Sequence, residues 1–252
     1  MGRRVRLVLI VFLLPLLLSA QEPVRLENVC TPADEDTFGL TCDEDNPCPV
    51  FLEFSAVDVN GSTLFVTGDL HTVTTTMYGL LLQSDDGGKT WTEPNKRLRS
   101  SSLEEIQFLD FQHGWISGMK LEPLPRDPFF LSTTDGGKSW RQVPVFEDAE
   151  FGSIQQFWFE TANNGELVMD RSQGAAGRYE RYVSMTGGAS WELQQTDSKP
   201  IRLPKAKPKE NASWRVRADA EAYRRHVRAQ PDMTSVLLPI GSGIEVTRYG
   251  EG

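Results

Sequence analysis

Three stretches of this chain repeat one arrangement of hydroxyl, carboxylate, glycine and indole. Ser84-Asp-Asp-Gly-Gly-Lys-Thr-Trp91 is matched by Thr133-Thr-Asp-Gly-Gly-Lys-Ser-Trp140 and Ser184-Met-Thr-Gly-Gly-Ala-Ser-Trp191, with starts 49 and 51 residues apart. The chemistry these residue types favour is turn-making. The carboxylates of Asp86 and Asp135 can accept backbone N–H bonds, Gly88 and Gly137 with the glycines before them can take positive φ, and Thr90 and Ser139 add short local bonds. Trp91, Trp140 and Trp191 offer large surfaces to bury between sheets. In the third stretch Thr186 replaces the carboxylate, while Ser184, Gly188 and Ser190 keep the pattern. One hydroxyl caps that turn more weakly, which predicts a more mobile corner there.

Catalytic chemistry is harder to place. Glycoside hydrolysis needs two carboxylates, or a tyrosine nucleophile beside arginines. Tyr182, Glu160, Asp170, Arg171 and Arg181 are the right types, but nothing in their spacing demands a site. No phosphate-binding loop, nucleophile elbow or His-Glu-x-x-His helix is present. His71, His113 and His226 are far apart. Gly68-Asp69-Leu70-His71-Thr72 reads as an ordinary link between strands. Asp43-Glu-Asp-Asn46 lacks the glycine and distal Glu of a calcium loop and reads as a solvated face. No catalytic, cofactor-binding or metal-ligating residue is assigned.

Strands must hold the three corners. Before each lies an aromatic-rich run: 50–57, 106–111 and 154–159. A second strand follows a turn (64–67, 115–118, 167–170), a third enters the corner (79–83, 129–132, 179–183), and a fourth leaves from the Trp. Period-two alternation and the Asn60-Gly61 turn favour strands over helices. Four short strands per ~50 residues is the period of a propeller blade. The expected organisation is an acidic, Cys-containing segment 21–49, then blades at 50–98, 99–146 and 147–198. A basic, Pro-rich linker follows at 199–210, and a degenerate final blade at 211–252. Strands at 214–218, 222–227, 235–240 and 244–247 would build that last unit, with a helix over 217–230 as the competing reading. The fold class is all-β and propeller-like, with about four four-stranded blades, five or an incomplete ring being the alternatives.

The repeated corner resembles the Asp-box, or BNR repeat, which in its families joins the third and fourth strands of a blade. The run Phe108-Leu-Asp-Phe-Gln-His-Gly-Trp115-Ile-Ser-Gly118, followed by the 133–140 corner, resembles the blades of photosystem II stability and assembly factor-like propellers. That resemblance implies a scaffold that binds partners. Asp-boxes also occur in sialidases, where an Arg-Ile/Leu-Pro element precedes them. Ile201-Arg202-Leu203-Pro204 is similar but follows all three corners, so its order is wrong for a sialidase.

The ends of the chain speak to location. Met1-Gly-Arg-Arg-Val-Arg, the apolar run Leu7–Leu18 and Ser19-Ala20-Gln21 form the three parts of a secretory signal peptide over 1–20. The run is too short to span a membrane, and no Cys follows it for lipid attachment. Removing these 20 residues takes the formal charge from −9 to −12, which disfavours a nucleic-acid partner. Cys30, Cys42 and Cys48 suit one disulfide in an oxidising compartment, with the pairing open. Asn60-Gly-Ser62 and Asn211-Ala-Ser213 fit the glycosylation acceptor pattern.

The reading is a secreted or periplasmic, non-catalytic binding or scaffolding module for a protein or glycan ligand, needing no cofactor. The alternative is a sialidase-like hydrolase exo-acting on glycans. A third reading is a subunit that completes its ring with a second copy.

Overall fold

A computed structural model describes residues 30–42, 48, 50–122, 124–172 and 177–203, and the backbones of 214–217, 233–238 and 244–249. The signal peptide expected over 1–20, the Asp43–Asn46 stretch, most of the expected basic linker, His226 and Asn211 lie outside the described residues.

The first sheet is β1 (Phe51–Asn60), β2 (Thr63–His71), β3 (Thr76–Ser84) and β4 (Leu98–Arg99). The second is β5 (Ser101–Phe108), β6 (Gly114–Lys120), β7 (Arg126–Thr133) and β8 (Arg141–Pro144). The third is β9 (Ser153–Phe159), β10 (Gly165–Asp170), β11 (Tyr179–Ser184) and β12 (Glu192–Asp197). Each is an antiparallel meander in sequence order. The protein is all-β and propeller-like, as its repeat implies.

A last sheet contains β13 (Trp214–Arg217), β14 (Met233–Leu238) and β15 (Ile244–Tyr249) in the order β13-β15-β14. The strand expected at 222–227, and the rival helix, lie outside the described residues. β13 approaches β1.

The sheets stack face to face. Phe65 and Leu81 of the first pack on Leu103, Phe108, Ile116, Phe129 and Leu131 of the second. Trp115, Phe130 and Val145 of the second pack on Ile154, Phe157, Phe159 and Leu167 of the third. Burying each such side chain favours the fold by about 1.5–3 kcal/mol. Strands β2 and β6 are buried along most of their length, whereas β12 is exposed throughout. The second strands of these sheets therefore carry the core, while the last strand of the third sheet meets water.

Two strand expectations need correction. In the first sheet no strand leaves from Trp91. Thr92 makes one isolated bridge to Gln83, and β4 forms only at Leu98–Arg99, after Pro94, which has no N–H to give to a ladder. In the second sheet β5 begins at Ser101 rather than Ile106. A bulge between Leu103 and Ile106 breaks the alternation there, which hides the strand start in the sequence.

The N-terminal segment adds a helix, α1 (Pro32–Phe38). Thr31 and Asp34 form a capping box, Pro32 opens the first turn and Gly39 ends it at φ 63°, each the residue its position favours. Seven residues are too few for a stable isolated helix. Docking on the first sheet holds it. Tyr78 donates to Asp34, Arg99 donates to Thr37 Oγ1 at 2.7 Å, and Phe38 meets the Tyr78 ring edge-on. Cys42 and Cys48 are the disulfide pair, leaving Cys30 as the thiol. Burial, with Asp34 and Glu35 nearby, pushes that thiol's pKa up.

Candidate functional site

An antiparallel meander has two ends. One end carries the β1–β2, β5–β6 and β9–β10 turns together with the three repeated corners, each lying between the third and fourth strands of its sheet. Ser84 donates to Asp86 Oδ1 at 2.9 Å, the same oxygen accepts the Lys89 and Thr90 N–H groups, and Thr90 Oγ1 donates to Oδ2 at 2.6 Å. Asp135 is bound alike by Thr133 at 2.7 Å, the Ser139 N–H at 3.0 Å and the Ser139 hydroxyl at 2.6 Å. The Gly88, Gly137 and Gly188 N–H groups donate to the leading Ser84, Thr133 and Ser184 oxygens. Each indole N–H returns to the carbonyl of that glycine at 3.0–3.1 Å.

Thr186 replaces the carboxylate with one oxygen, which accepts the Ser190 N–H at 2.9 Å and lies 2.9 Å from the Ser190 hydroxyl. The Thr90 and Ser139 hydroxyls lead the groups that hold Asp86 and Asp135 at a pKa of about 2. These carboxylates are saturated by their own corners. The indoles of Trp91, Trp140 and Trp191 are half-buried rather than enclosed, with Trp140 edge-on to Phe65 and Phe108.

The opposite end is built differently. Phe51 and Phe151 begin or precede the innermost strands one hundred residues apart, and Val73 and Leu124 sit on the β2–β3 and β6–β7 links. All four are exposed. Ser100, in the corresponding place of the second sheet, has φ 47°, and Asp127 has φ 46°. Non-glycine residues seldom adopt such backbone, and it gathers at functional sites.

Asp127 ties the second sheet to the third. Its N–H donates to the Glu150 carbonyl at 2.8 Å, and its carboxylate meets Arg126 at 3.0 Å and Lys120 at 3.6 Å. The Arg126 guanidinium lies 5.8 Å from the Phe151 ring. From Glu150 the network continues to Arg171 at 2.9 Å, then to Glu180, which also accepts from Arg178 and, at 2.7 Å, from Tyr182. Burial pushes the Glu180 carboxyl up, but the Tyr182, Arg178 and Arg171 hydrogen bonds outweigh it and hold its pKa below the usual range. Tyr182 is raised by burial and by that carboxylate. It is held as a hydroxyl donor.

The structure thus joins Arg171 with Tyr182 and leaves the other sequence candidates apart. Glu160 is exposed at the β9–β10 turn, at the far end. Asp170 accepts the Ser172 N–H, and Arg181 faces away to pair with Glu166 at 2.8 Å. Tyr182 is 8% exposed and Glu180 3%, so both are enclosed between sheets. Arg202 is exposed. His71 lies near Glu53 at 3.7 Å and His113 pairs with Asp110 at 2.9 Å, at opposite ends of the stack. Asn60 Nδ2 donates to the Phe111 carbonyl at 3.1 Å, so the amide that a glycan would occupy joins two sheets instead. Glu35 lies near Cys42 and Cys48, whose sulfurs are taken by the disulfide.

Sequence reading missed Glu180, Glu150 and Asp127. Glu180 had a signal: it shares strand parity with Tyr182 and Ser184, so an inward acid required a cationic partner.

No family model matches the chain. Over 121 residues it is 25% identical to the photosystem II assembly lipoprotein Ycf48 of Synechococcus sp. (strain CC9902), covering 47% of this chain and 32% of that protein. The chain therefore spans about a third of the length of the curated relative it matches. Among solved structures, Ycf48 from Cyanidioschyzon merolae is 22% identical with a TM-score of 0.41, over 58% of this chain and 38% of that one. A PL25 ulvan lyase is 13% identical with a TM-score of 0.39, over 80% and 51%. Carrying the repeated strands and corners described above, the chain is a propeller-like repeat protein weakly similar to Ycf48.

Proposed function

We propose that the chain is an exported, non-catalytic binding module that takes a protein partner at the end of the stack opposite the repeated corners. The observation carrying this reading is the recurrence of exposed apolar side chains at that end: Phe51 and Phe151 beside the inner strands, Val73 and Leu124 on the links. Exposed apolar groups flanked by charge mark interaction surfaces, and here the Arg126 guanidinium lies 5.8 Å from the Phe151 ring. The fifteen corner residues hold chain rather than ligand, since their polar atoms are spent on one another. Similarity to an assembly protein supports a partner-binding role, without transferring the photosystem.

A photo-crosslinking residue at Phe151, in the native host, should yield a discrete protein adduct. The same residue at Leu193, on the outer edge strand, should not. Identical adducts from both positions would sink the proposal. Turnover of aryl glycosides abolished by Glu180→Gln would replace it with the hydrolase reading.

A further inference from the structure

The positions that join one sheet to the next change character together in the third sheet. In the first, Asp58 and Phe65 are register partners. Asp58 accepts the Phe108 N–H of the second sheet at 2.6 Å, and Phe65 packs on the Phe108 ring at 4.7 Å. One repeat on, Gln107 and Trp115 are partners. Gln107 exchanges two 2.8 Å hydrogen bonds with the Phe159 backbone, and Trp115 stacks on the Phe159 ring at 3.8 Å. Leu81 and Phe130 complete these two apolar contacts from the third strands.

By register, the same three places in the third sheet hold Trp158, Glu166 and Arg181. The polar reaching residue has become an indole, and the two apolar residues have become an ion pair. Glu166 and Arg181 meet at 2.8 Å with side chains 32% and 33% exposed. The chain leaving β12 then turns back over this face. Ile201 is buried at 9%, and the Leu203 N–H donates to Gln156 Oε1 at 3.1 Å. Gln156 is the register partner of Val168, which is fully buried although it lies on the outward side of its sheet.

A half-exposed ion pair adds little stability where it stands. Covering it with another sheet would cost its hydration without the apolar contact that Phe65 or Trp115 supplies. Stacked arrays end in a unit whose outer face is polar. We infer that the third sheet terminates the stack, its outer face closed by the Glu166–Arg181 pair and the 199–203 strap rather than by a further sheet or a second copy of the chain. A ring completed by a partner would need an apolar face here, and the residues present deny it.

Sedimentation of the mature chain should show a monomer across a wide concentration range. Glu166→Phe with Arg181→Leu restores the apolar pair of the inner sheets and should produce concentration-dependent self-association. A folded, strictly monomeric double variant overturns the inference. So does a wild-type oligomer that Glu166→Arg dissociates. If the double variant does not fold, Ile201→Glu tests the strap: amide exchange in β9 and β10 should rise at least about tenfold with β6 unchanged. Unchanged protection in β9 and β10 would overturn the closure.

Discussion

Asp135 shows how much one carboxylate does in this fold. It accepts from two hydroxyls and a backbone N–H within five residues, and its pKa falls from 3.8 to about 2, led by the Ser139 hydroxyl. A group whose folded pKa lies below its unfolded value stabilises the fold above the unfolded value and loses that contribution as pH drops through the folded one. The corners at Asp86 and Asp135 should therefore weaken between about pH 4 and pH 2, while the Thr186 corner does not respond. Asp135→Ala should cost about 1 kcal/mol at neutral pH, the loss of local hydrogen bonds at a solvent-facing site. It should also flatten the acid limb of stability measured by urea unfolding from pH 2 to 5. A variant as acid-sensitive as the wild type would remove Asp135 from that role.

At the scale of elements, each innermost strand has one more residue than its partner uses. The extra residue falls at Ser55 in β1, between Leu103 and Ile106 in β5, and at Gln155 in β9. The Thr67 hydroxyl donates across the first bulge to the Glu104 carbonyl at 3.0 Å, and Ser117 accepts the Glu105 N–H at 3.1 Å. The third sheet has Val168 at that register, and Gln155 Oε1 there has no partner among the described residues. The corners meet these sheets through their indoles and glycines. Gly137, at φ 91°, sits so close against Phe65 that a side chain there would strike the ring. Trp140 closes the same contact while half-buried, so Trp140→Ala should cost about 3 kcal/mol, the lower end for a large aromatic. Thermal unfolding of the variant checks this. A change within about 0.5 kcal/mol, the usual effect of a surface substitution, would mean the indole does not hold the sheets together.

For the whole molecule, the first two sheets meet around a carboxylate at a register where the next junction has an apolar residue. Asp69 accepts the Leu103 N–H at 3.2 Å, and at the equivalent register the second sheet has Met119. Burial pushes the Asp69 carboxyl up to about 7, with the Leu103 bond opposing and Glu104 and Glu53 adding to the rise. Its folded pKa exceeds the unfolded 3.8, so the sign is the reverse of the corners: this contribution favours folding at low pH and is lost as pH climbs from about 4 to 7. Asp69→Asn keeps an acceptor for Leu103 and removes the charge. It should raise stability at pH 8 relative to wild type and leave pH 4 nearly unchanged. Equal effects at both values would show that Asp69 does not titrate in this range.

How much of this was legible in the residues divides by distance along the chain. Period-two alternation and Asp-Gly-Gly corners act within a few residues, so strands, turns, repeat length and all-β class could be read directly. The polar outer face of the third sheet was also written there, as Trp158, Glu166 and Arg181 against Asp58, Phe65 and Leu81, once the register aligned them. What only the tertiary structure decided was which distant residues meet: Cys42 with Cys48, α1 with Tyr78, Arg171 with Glu150 and Glu180, Leu203 with Gln156. Those contacts follow from how sheets stack and where bulges shift the register. Side-chain chemistry states that a buried acid needs a partner, but only packing selects which one arrives.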